Sequence, residues 1–218
     1  MDKSCVVMFS GGRDSTLAAL SLHEAGYRLV LVTVSSPHLV GMDRVKQRLV
    51  ELRRSLPAAT GWINVAQPGG VVPMPAGFSD RTCLPCQEAY VLTGYKMARD
   101  RGINDLALGY AGYQAAWPEQ TPEATARLRQ ILEDRGVTLH LPVYGLRTKT
   151  EAIRSLAEHG LSRESLEQKC TKQVSNIALE GDALHQQLAL WETLLTDSLN
   201  AIDRVTLVRM CTTCLGDL

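Results

Sequence analysis

The stretch VVMFSGGRDST, residues 6–16, decides the fold of this chain. Its apolar first half predicts a buried strand, and the leucines and alanines after it repeat at helical spacing, which predicts a helix directly after the glycines. Gly11 and Gly12 permit backbone angles that a side chain would block, so amide groups can come close to an anion. The helix dipole and three nearby hydroxyl side chains favour negative charge at the same place. The turn is therefore predicted to bind a phosphate or pyrophosphate.

The composition indicates an ordinary soluble protein without a global attraction for nucleic acid. The 218 residues suffice for one sizeable α/β domain, and 23 basic and 23 acidic side chains give a formal net charge of zero. No apolar stretch approaches the roughly 20 residues that span a bilayer, and charged residues lead straight into the first strand, so neither a membrane anchor nor a signal peptide is expected. We expect a cytoplasmic protein whose six cysteines serve a metal or catalysis rather than disulfides.

Periodicity along the rest of the chain predicts a doubly wound parallel α/β sheet. Residues 27–34 form a second apolar strand, and a strand–helix–strand unit of this length implies a right-handed crossover between parallel strands. Ligands of such sheets bind at the carboxyl ends of the strands, which places Thr33 and Val34 beside the glycine turn. Further strands are predicted over 62–65, 105–110 and 137–141, further helices over 43–56, 83–101, 121–135, 147–160 and 182–202, and a long loop over 67–80. The arginines of the helix over 43–56 are expected to face solvent.

The motif SGGRDS, residues 10–15, resembles the SGGxDS signature of the PP-loop (N-type) ATP pyrophosphatases, and the resemblance extends to about residue 170. It implies a HUP-type fold, ATP and Mg²⁺ as cofactors, and Asp14 as a catalytic residue that places the metal or orders the loop. It further implies a nucleotide-binding domain over 1–170, with 171–218 forming a C-terminal helix and a metal-binding tail packed on it. The nucleotide would be held by the loop and two strand ends: Phe9, Ser10, Gly11, Gly12, Arg13, Asp14, Ser15, Thr16, Thr33, Val34, Gly109 and Tyr110.

The segment KTEAI, residues 149–153, looks like the Lys-x-Glu-x-Ile segment of the 7-cyano-7-deazaguanine synthases, a branch of the same family. In that branch the lysine reaches the nucleotide phosphates, so the resemblance implies that Lys149 is the second catalytic residue. A lysine at the start of a helix is electrostatically unfavourable, which favours a functional role for it.

The six cysteines form two CxxC pairs and two single thiols. Cys5 is expected to be buried in the first strand, and the other five allow three metal sites. Cys83 and Cys86 with Cys211 and Cys214 would make a tetrahedral zinc site, which requires the tail to fold back onto the start of the helix over 83–101. Alternatively, Cys83, Cys86 and Cys170 resemble the three ligands of the [4Fe–4S] cluster in PP-loop tRNA thiolases. A third set, Cys170 with the tail pair, resembles the zinc site of the deazaguanine synthases in part. We expect zinc in preference to iron–sulfur.

The resemblance implies an ATP-dependent, AMP- and pyrophosphate-forming enzyme similar to the 7-cyano-7-deazaguanine synthases. Its substrate would be a small heterocyclic or carboxylate molecule that is adenylated and then attacked by a nitrogen nucleophile. The alternative is a tRNA thiolation enzyme, which zero net charge does not favour. A non-catalytic nucleotide-binding module is the remaining hypothesis. No membrane partner is expected, and the sequence leaves a homodimer open.

Overall fold

The computed structural model describes residues 3–79, 81–172 and 177–218. Within these ranges the chain forms eight strands and six α-helices. The strands are β1 (Ser4–Met8), β2 (Arg28–Ser35), β3 (Leu39–Val40), β4 (Gly61–Ala66), β5 (Asp105–Ala107), β6 (Thr138–His140), β7 (Lys169–Cys170) and β8 (Arg209–Cys214). The helices are α1 (Arg13–Glu24), α2 (Met42–Leu52), α3 (Leu84–Arg99), α4 (Pro122–Glu133), α5 (Lys149–Glu158) and α6 (Gly181–Asn200).

One mixed sheet forms the centre, in the order β6-β5-β1-β2-β4-β8. The first five strands of this order are parallel, which confirms the predicted doubly wound α/β fold, and β8 joins β4 antiparallel at the edge. The core divides into two clusters, with α1, α2 and α5 packed on one face of the sheet and α3, α4 and α6 on the other. In the described part of the chain, no helix is long and apolar enough to cross a membrane.

The position of β1 explains where a ligand can bind. β1 lies between β2 and β5, so the chain continues to one side of it first and to the other side later. Such a reversal of strand order opens a crevice at the carboxyl ends of the strands. Gly11 has a φ of 80° in the turn after β1, a conformation that glycine adopts without strain. A Cβ atom on Gly109, after β5, would lie 2.5 Å from the Ser15 amide nitrogen, so only glycine allows this close approach to α1.

Most of the tail that the sequence predicts to bind a metal forms strand β8. Its residues pair with β4 from Gly61 opposite Cys214 to Val65 opposite Arg209, with an irregularity beside Asn64. The Leu215 amide continues this pairing by donating to the Thr60 carbonyl oxygen at 3.0 Å. The tail is therefore held by backbone hydrogen bonds along the sheet edge and does not fold back onto the start of α3.

Residues 162–170, which we call the strap, run across the turn that follows β1. Arg48 of α2 donates to the carbonyl oxygens of Ser162 at 3.1 Å and Glu164 at 2.6 Å, and Arg44 donates to that of Ser165. Arg48 is completely buried and pairs with Glu51 at 2.5 Å. The expectation that this arginine faces solvent is thus wrong, because its guanidinium satisfies strap carbonyls more than a hundred residues away.

Candidate nucleotide-binding site

A cavity of about 340 Å³ opens at the carboxyl ends of β1, β2 and β5. Its lining includes eight of the residues predicted to bind the nucleotide: Ser10, Gly12, Asp14, Ser15, Thr33, Val34, Gly109 and Tyr110. Cys83, Cys86 and Cys170 line the same cavity. The structure therefore brings the glycine turn, two strand ends and three thiols to one place, which is large enough for a small ligand.

The turn after β1 is held in shape by its own hydroxyl groups. The Gly12 amide donates to Ser10 Oγ at 3.1 Å, and the Ser10 amide donates to Ser15 Oγ at 3.2 Å. The two serine hydroxyls are 3.0 Å apart, and Thr16 Oγ1 donates to the Gly12 carbonyl oxygen at 2.6 Å. Because these contacts fix the backbone ahead of α1, the turn offers an ordered helix N-terminus to an anion.

Asp14 points into the cavity and is held by a residue that the sequence analysis did not select. The Tyr113 hydroxyl lies 2.7 Å from one carboxylate oxygen of Asp14 and 2.8 Å from the other, so it donates to the carboxylate. Burial raises the pKa of Asp14, the Tyr113 hydrogen bond lowers it, and the nearby Glu167 carboxylate raises it further. Burial and the Asp14 contact raise the pKa of the Tyr113 phenol, so this hydroxyl stays a donor at neutral pH.

Five of the residues predicted to bind the nucleotide or its phosphates do not line the cavity. Phe9 and Thr16 are buried in the core around α1, and Gly11 lies under the strap, where an added Cβ would be 2.6 Å from the Leu166 carbonyl oxygen. Arg13 donates to the Arg163 carbonyl oxygen at 3.0 Å and so supports the strap. Lys149 is exposed as the first residue of α5, whose start is fixed by a capping box between Thr148 and Glu151. A role of Lys149 in phosphate binding stays a prediction.

Three cysteines form one wall of the cavity. Cys83 and Cys86 stand at the first turn of α3, where residues three apart share a face of the helix. Cys170 reaches the same cavity because β7 pairs with β3, which also places His38 there. The Cys86 Sγ atom lies 3.9 Å from His38 Nε2. Burial raises the pKa of the Cys86 thiol, and the neighbouring Cys170 raises it further.

The second CxxC motif is not part of this wall. Cys211 is exposed opposite Asn64, and Cys214 pairs with Gly61 at the start of β4, away from the carboxyl ends of the strands. Side chains three apart in a strand point to opposite faces, so these two thiols cannot chelate one ion together. The structure therefore does not bring the two CxxC pairs together, and a zinc site built from both stays a prediction. Across the three described ranges, no three His, Cys, Asp or Glu side chains are grouped to hold a single metal ion.

Several cavity residues carried no local signal in the sequence. Trp117, Glu119 and Gln120 come from short 3₁₀ turns between β5 and α4, and Glu167 and Gln168 come from the strap. Gln168 donates to the Val34 carbonyl oxygen at 2.9 Å, which joins the strap to the end of β2. Tertiary contacts place these residues, and the nearest sequence clue was that Glu167 and Gln168 precede Cys170 by a few positions.

No family model and no curated protein matches the chain. Solved structures do, among them a 4-thiouridine synthetase–RNA complex with bound ATP, at 17% identity and a TM-score of 0.54 over 95% of this chain and 55% of that one. The U34-tRNA thiolase NcsA from Methanococcus maripaludis with its [4Fe–4S] cluster matches at 13% identity and a TM-score of 0.55, over 94% of this chain and 73% of that one. The chain thus spans about half the length of the first protein. These likenesses establish the fold, which is the mostly parallel HUP-type α/β fold of PP-loop proteins.

Proposed function

We propose that the chain is an ATP-dependent enzyme that forms AMP and pyrophosphate by adenylating a carbonyl or carboxylate oxygen of a heterocyclic substrate. The observation that carries the proposal is that a single cavity joins the glycine turn, the ends of β2 and β5, and a wall of thiols. The fold is shared with an ATP-bound synthetase and with a thiolase, which supports the same chemistry.

The residues around the turn can supply what adenylation needs. The turn amides and the Ser10 and Ser15 hydroxyls would hold the β- and γ-phosphates, and Mg²⁺ beside Asp14 would neutralise their charge. The substrate oxygen attacks the α-phosphorus, the bond to the β-phosphate oxygen breaks, and pyrophosphate leaves with the electron pair. A lactam substrate gives up its proton in this step, a carboxylate substrate has none to give up, and a nucleophile later displaces AMP.

Cavity residues that come from the 3₁₀ turns after β5 suit a planar heterocycle. Trp117 lines the cavity and is 37% exposed, so its indole ring is available for a base to stack on. Beside it, the Gln120 amide oxygen accepts from the Ala111 amide at 3.1 Å, and its nitrogen donates to Gln114 at 3.0 Å. This ordered amide pair and the Glu119 carboxylate supply donors and acceptors for the edge of a base.

A sulfur nucleophile is the candidate that the thiol wall favours. The cavity residues Cys83, Cys86 and Cys170 do not converge on one point, as a zinc ion requires, but a [4Fe–4S] cube spreads its irons and accepts thiolates that stand further apart. These three residues would hold the cluster, which would supply an open iron site for inorganic sulfur. NcsA is a thiolase with such a cluster, which supports the assignment.

A nitrogen nucleophile, as in the 7-cyano-7-deazaguanine synthases, is the second candidate. It uses the same adenylation and the same base-binding side of the cavity, which has room for a free heterocycle. The two candidates differ in the nucleophile and in whether the base is free or part of a tRNA.

A pyrophosphate-release assay tests the common step. The protein is given ATP, Mg²⁺ and either a deazapurine carboxylate or bulk tRNA, with ammonia or sulfide, and AMP is measured alongside pyrophosphate. Asp14→Ala should lower the rate at least about 100-fold, because the Mg²⁺ that would neutralise the phosphate charge loses its carboxylate ligand. Asp43→Ala is the matched control, since Asp43 is the second residue of α2 as Asp14 is of α1. Binding of ATP without turnover under every condition would instead indicate a nucleotide-binding module.

A further inference from the structure

The Glu167 carboxylate lies against the turn where the proposal above places a phosphate. A Cβ atom built on Gly12 would be 2.6 Å from Glu167 Oε2, which puts that oxygen in contact with the backbone ahead of α1. The other oxygen, Oε1, accepts from the Ser165 hydroxyl at 2.8 Å and fixes the orientation of the carboxylate. A helix N-terminus stabilises a carboxylate as it does a phosphate, so the two anions suit the same position.

The strap is fastened at points that keep Glu167 there. Arg44 donates to the Glu167 carbonyl oxygen at 3.2 Å, and the next residue, Gln168, is tied to the end of β2. On the other side, the Leu166 carbonyl oxygen packs over Gly11. The backbone on both sides of Glu167 is therefore held against the turn, while its side chain is exposed at the mouth of the cavity.

We propose that Glu167 is a built-in competitor for the anion-binding turn, so that a nucleotide must displace its carboxylate or neutralise it with a divalent cation. The inference rests on the proposed function, because it assumes that the turn binds phosphates. Glu167 and the incoming pyrophosphate group repel each other because both are negatively charged, and Asp14 adds a second repulsion of the same kind. A divalent cation between the carboxylates and the phosphates removes this repulsion.

The test compares Glu167→Gln with the unaltered protein in calorimetric titrations with inorganic pyrophosphate and with ATP. In EDTA at low ionic strength, the variant should bind pyrophosphate at least about fivefold more tightly, since glutamine keeps the Ser165 hydrogen bond and loses the charge. The difference in pyrophosphate affinity between the two proteins should shrink to less than about twofold in excess Mg²⁺, because the cation neutralises the carboxylate. High salt should also reduce this difference, because the carboxylate is exposed to solvent. A merely structural role for Glu167 would not produce this dependence on metal and salt.

Glu164→Gln is the matched control, because it removes the same charge from the same strap at an exposed position outside the cavity lining. Equal affinities of the Glu167 variant and the unaltered protein in EDTA would overturn the inference, as would weaker binding by the variant. If both proteins bind ATP with Mg²⁺ in that case, the proposed function stands and only the role of Glu167 fails. If neither protein binds ATP or pyrophosphate under any condition, the proposed function fails together with the inference.

Discussion

The two CxxC motifs have the same spacing and opposite local structures. Cys83 and Cys86 stand at the start of α3 and line the cavity at the carboxyl ends of the strands. Cys211 and Cys214 lie in β8, an edge strand that pairs antiparallel with β4 from Gly61 to Val65. A spacing of three residues keeps two side chains on one face of a helix but sends them to opposite faces of a strand. A cysteine motif therefore predicts a chelating pair only after the secondary structure under it is known.

The largest expected effect is on iron content. In anaerobically purified protein, Cys83→Ser should reduce iron per chain at least about tenfold relative to the unaltered protein, because a cluster loses one of three thiolates. Cys211→Ser should leave the iron content unchanged, since that thiol is exposed on β8. Elemental analysis and visible absorbance measure both. Equal losses in the two variants would bring the tail pair back into the metal site, and an iron-free unaltered protein would refute the cluster.

The next largest effect is on the stability of the strap, which brings Cys170 to the same cavity as Cys83 and Cys86. Arg48→Met should lower the free energy of unfolding by about 3 kcal/mol, because strap carbonyls and Glu51 lose a buried charged partner. Iron retention should fall as well, since the strap carries Cys170. Arg53→Met, an exposed substitution at the end of α2, is the control and should change the free energy of unfolding by less than about 0.5 kcal/mol. Chemical denaturation measures both, and an unfolding free energy unchanged in Arg48→Met would mean that the strap is held by other contacts.

The sequence predicted the cavity side of the molecule because its signals are local. The apolar run before Ser10 and the glycines after it define β1, the turn and α1 within a few residues. The strands over 27–34 and 105–110 were predicted from their apolar runs and appear as β2 and the shorter β5. Since parallel strands end at one edge, it followed that Thr33 and Val34 would lie beside the turn, and the family resemblance implied the same for Gly109 and Tyr110. All four line the cavity together with the turn.

The strap and β8 could not be predicted in the same way, because distant parts of the chain define them. Arg48 sits on a helix whose charges look solvated, and its partners are strap carbonyls that no periodicity marks. The tail is rich in cysteine and threonine, and it becomes a strand because β4 offers it a free edge. Tyr113 was likewise visible in the sequence, but its hydrogen bond to Asp14 joins residues 99 positions apart.

A smaller effect is expected on the pH dependence of stability. It concerns the cavity, where Asp14 is a buried acid, and it has no counterpart at the β8 edge. Burial raises the pKa of Asp14 above its ordinary value of 3.8, so the folded state binds its proton more tightly than the unfolded state. The free energy of unfolding then falls as the pH rises from 3.8 to the raised pKa. Above the raised pKa, the buried charged carboxylate destabilises the folded state to its full extent. Asp14→Asn should therefore melt higher than the unaltered protein at pH 7, and the difference should vanish below pH 3.8.

Calorimetric melting over a pH series measures this difference. Asp43→Asn controls for the loss of a charge at a helix N-terminus, because Asp43 is exposed in the first turn of α2. A lower melting temperature of Asp14→Asn at pH 7 would mean that the Tyr113 hydrogen bond and Arg13 outweigh burial, and that Asp14 stabilises the fold.

The smallest expected effect is on the β8 edge itself. Cys211→Ser exchanges an exposed thiol for a hydroxyl of similar size in a strand held by backbone pairing with β4. The free energy of unfolding should change by less than about 0.5 kcal/mol, and a chelator should not alter that difference. A metal-linked tail would behave differently, because removing a ligand or the metal would remove binding energy that exists only in the folded state. Chemical denaturation with and without EDTA therefore decides whether backbone pairing alone or a bound metal holds the tail. A loss of unfolding free energy above about 1 kcal/mol in Cys211→Ser that disappears in EDTA would establish the bound metal.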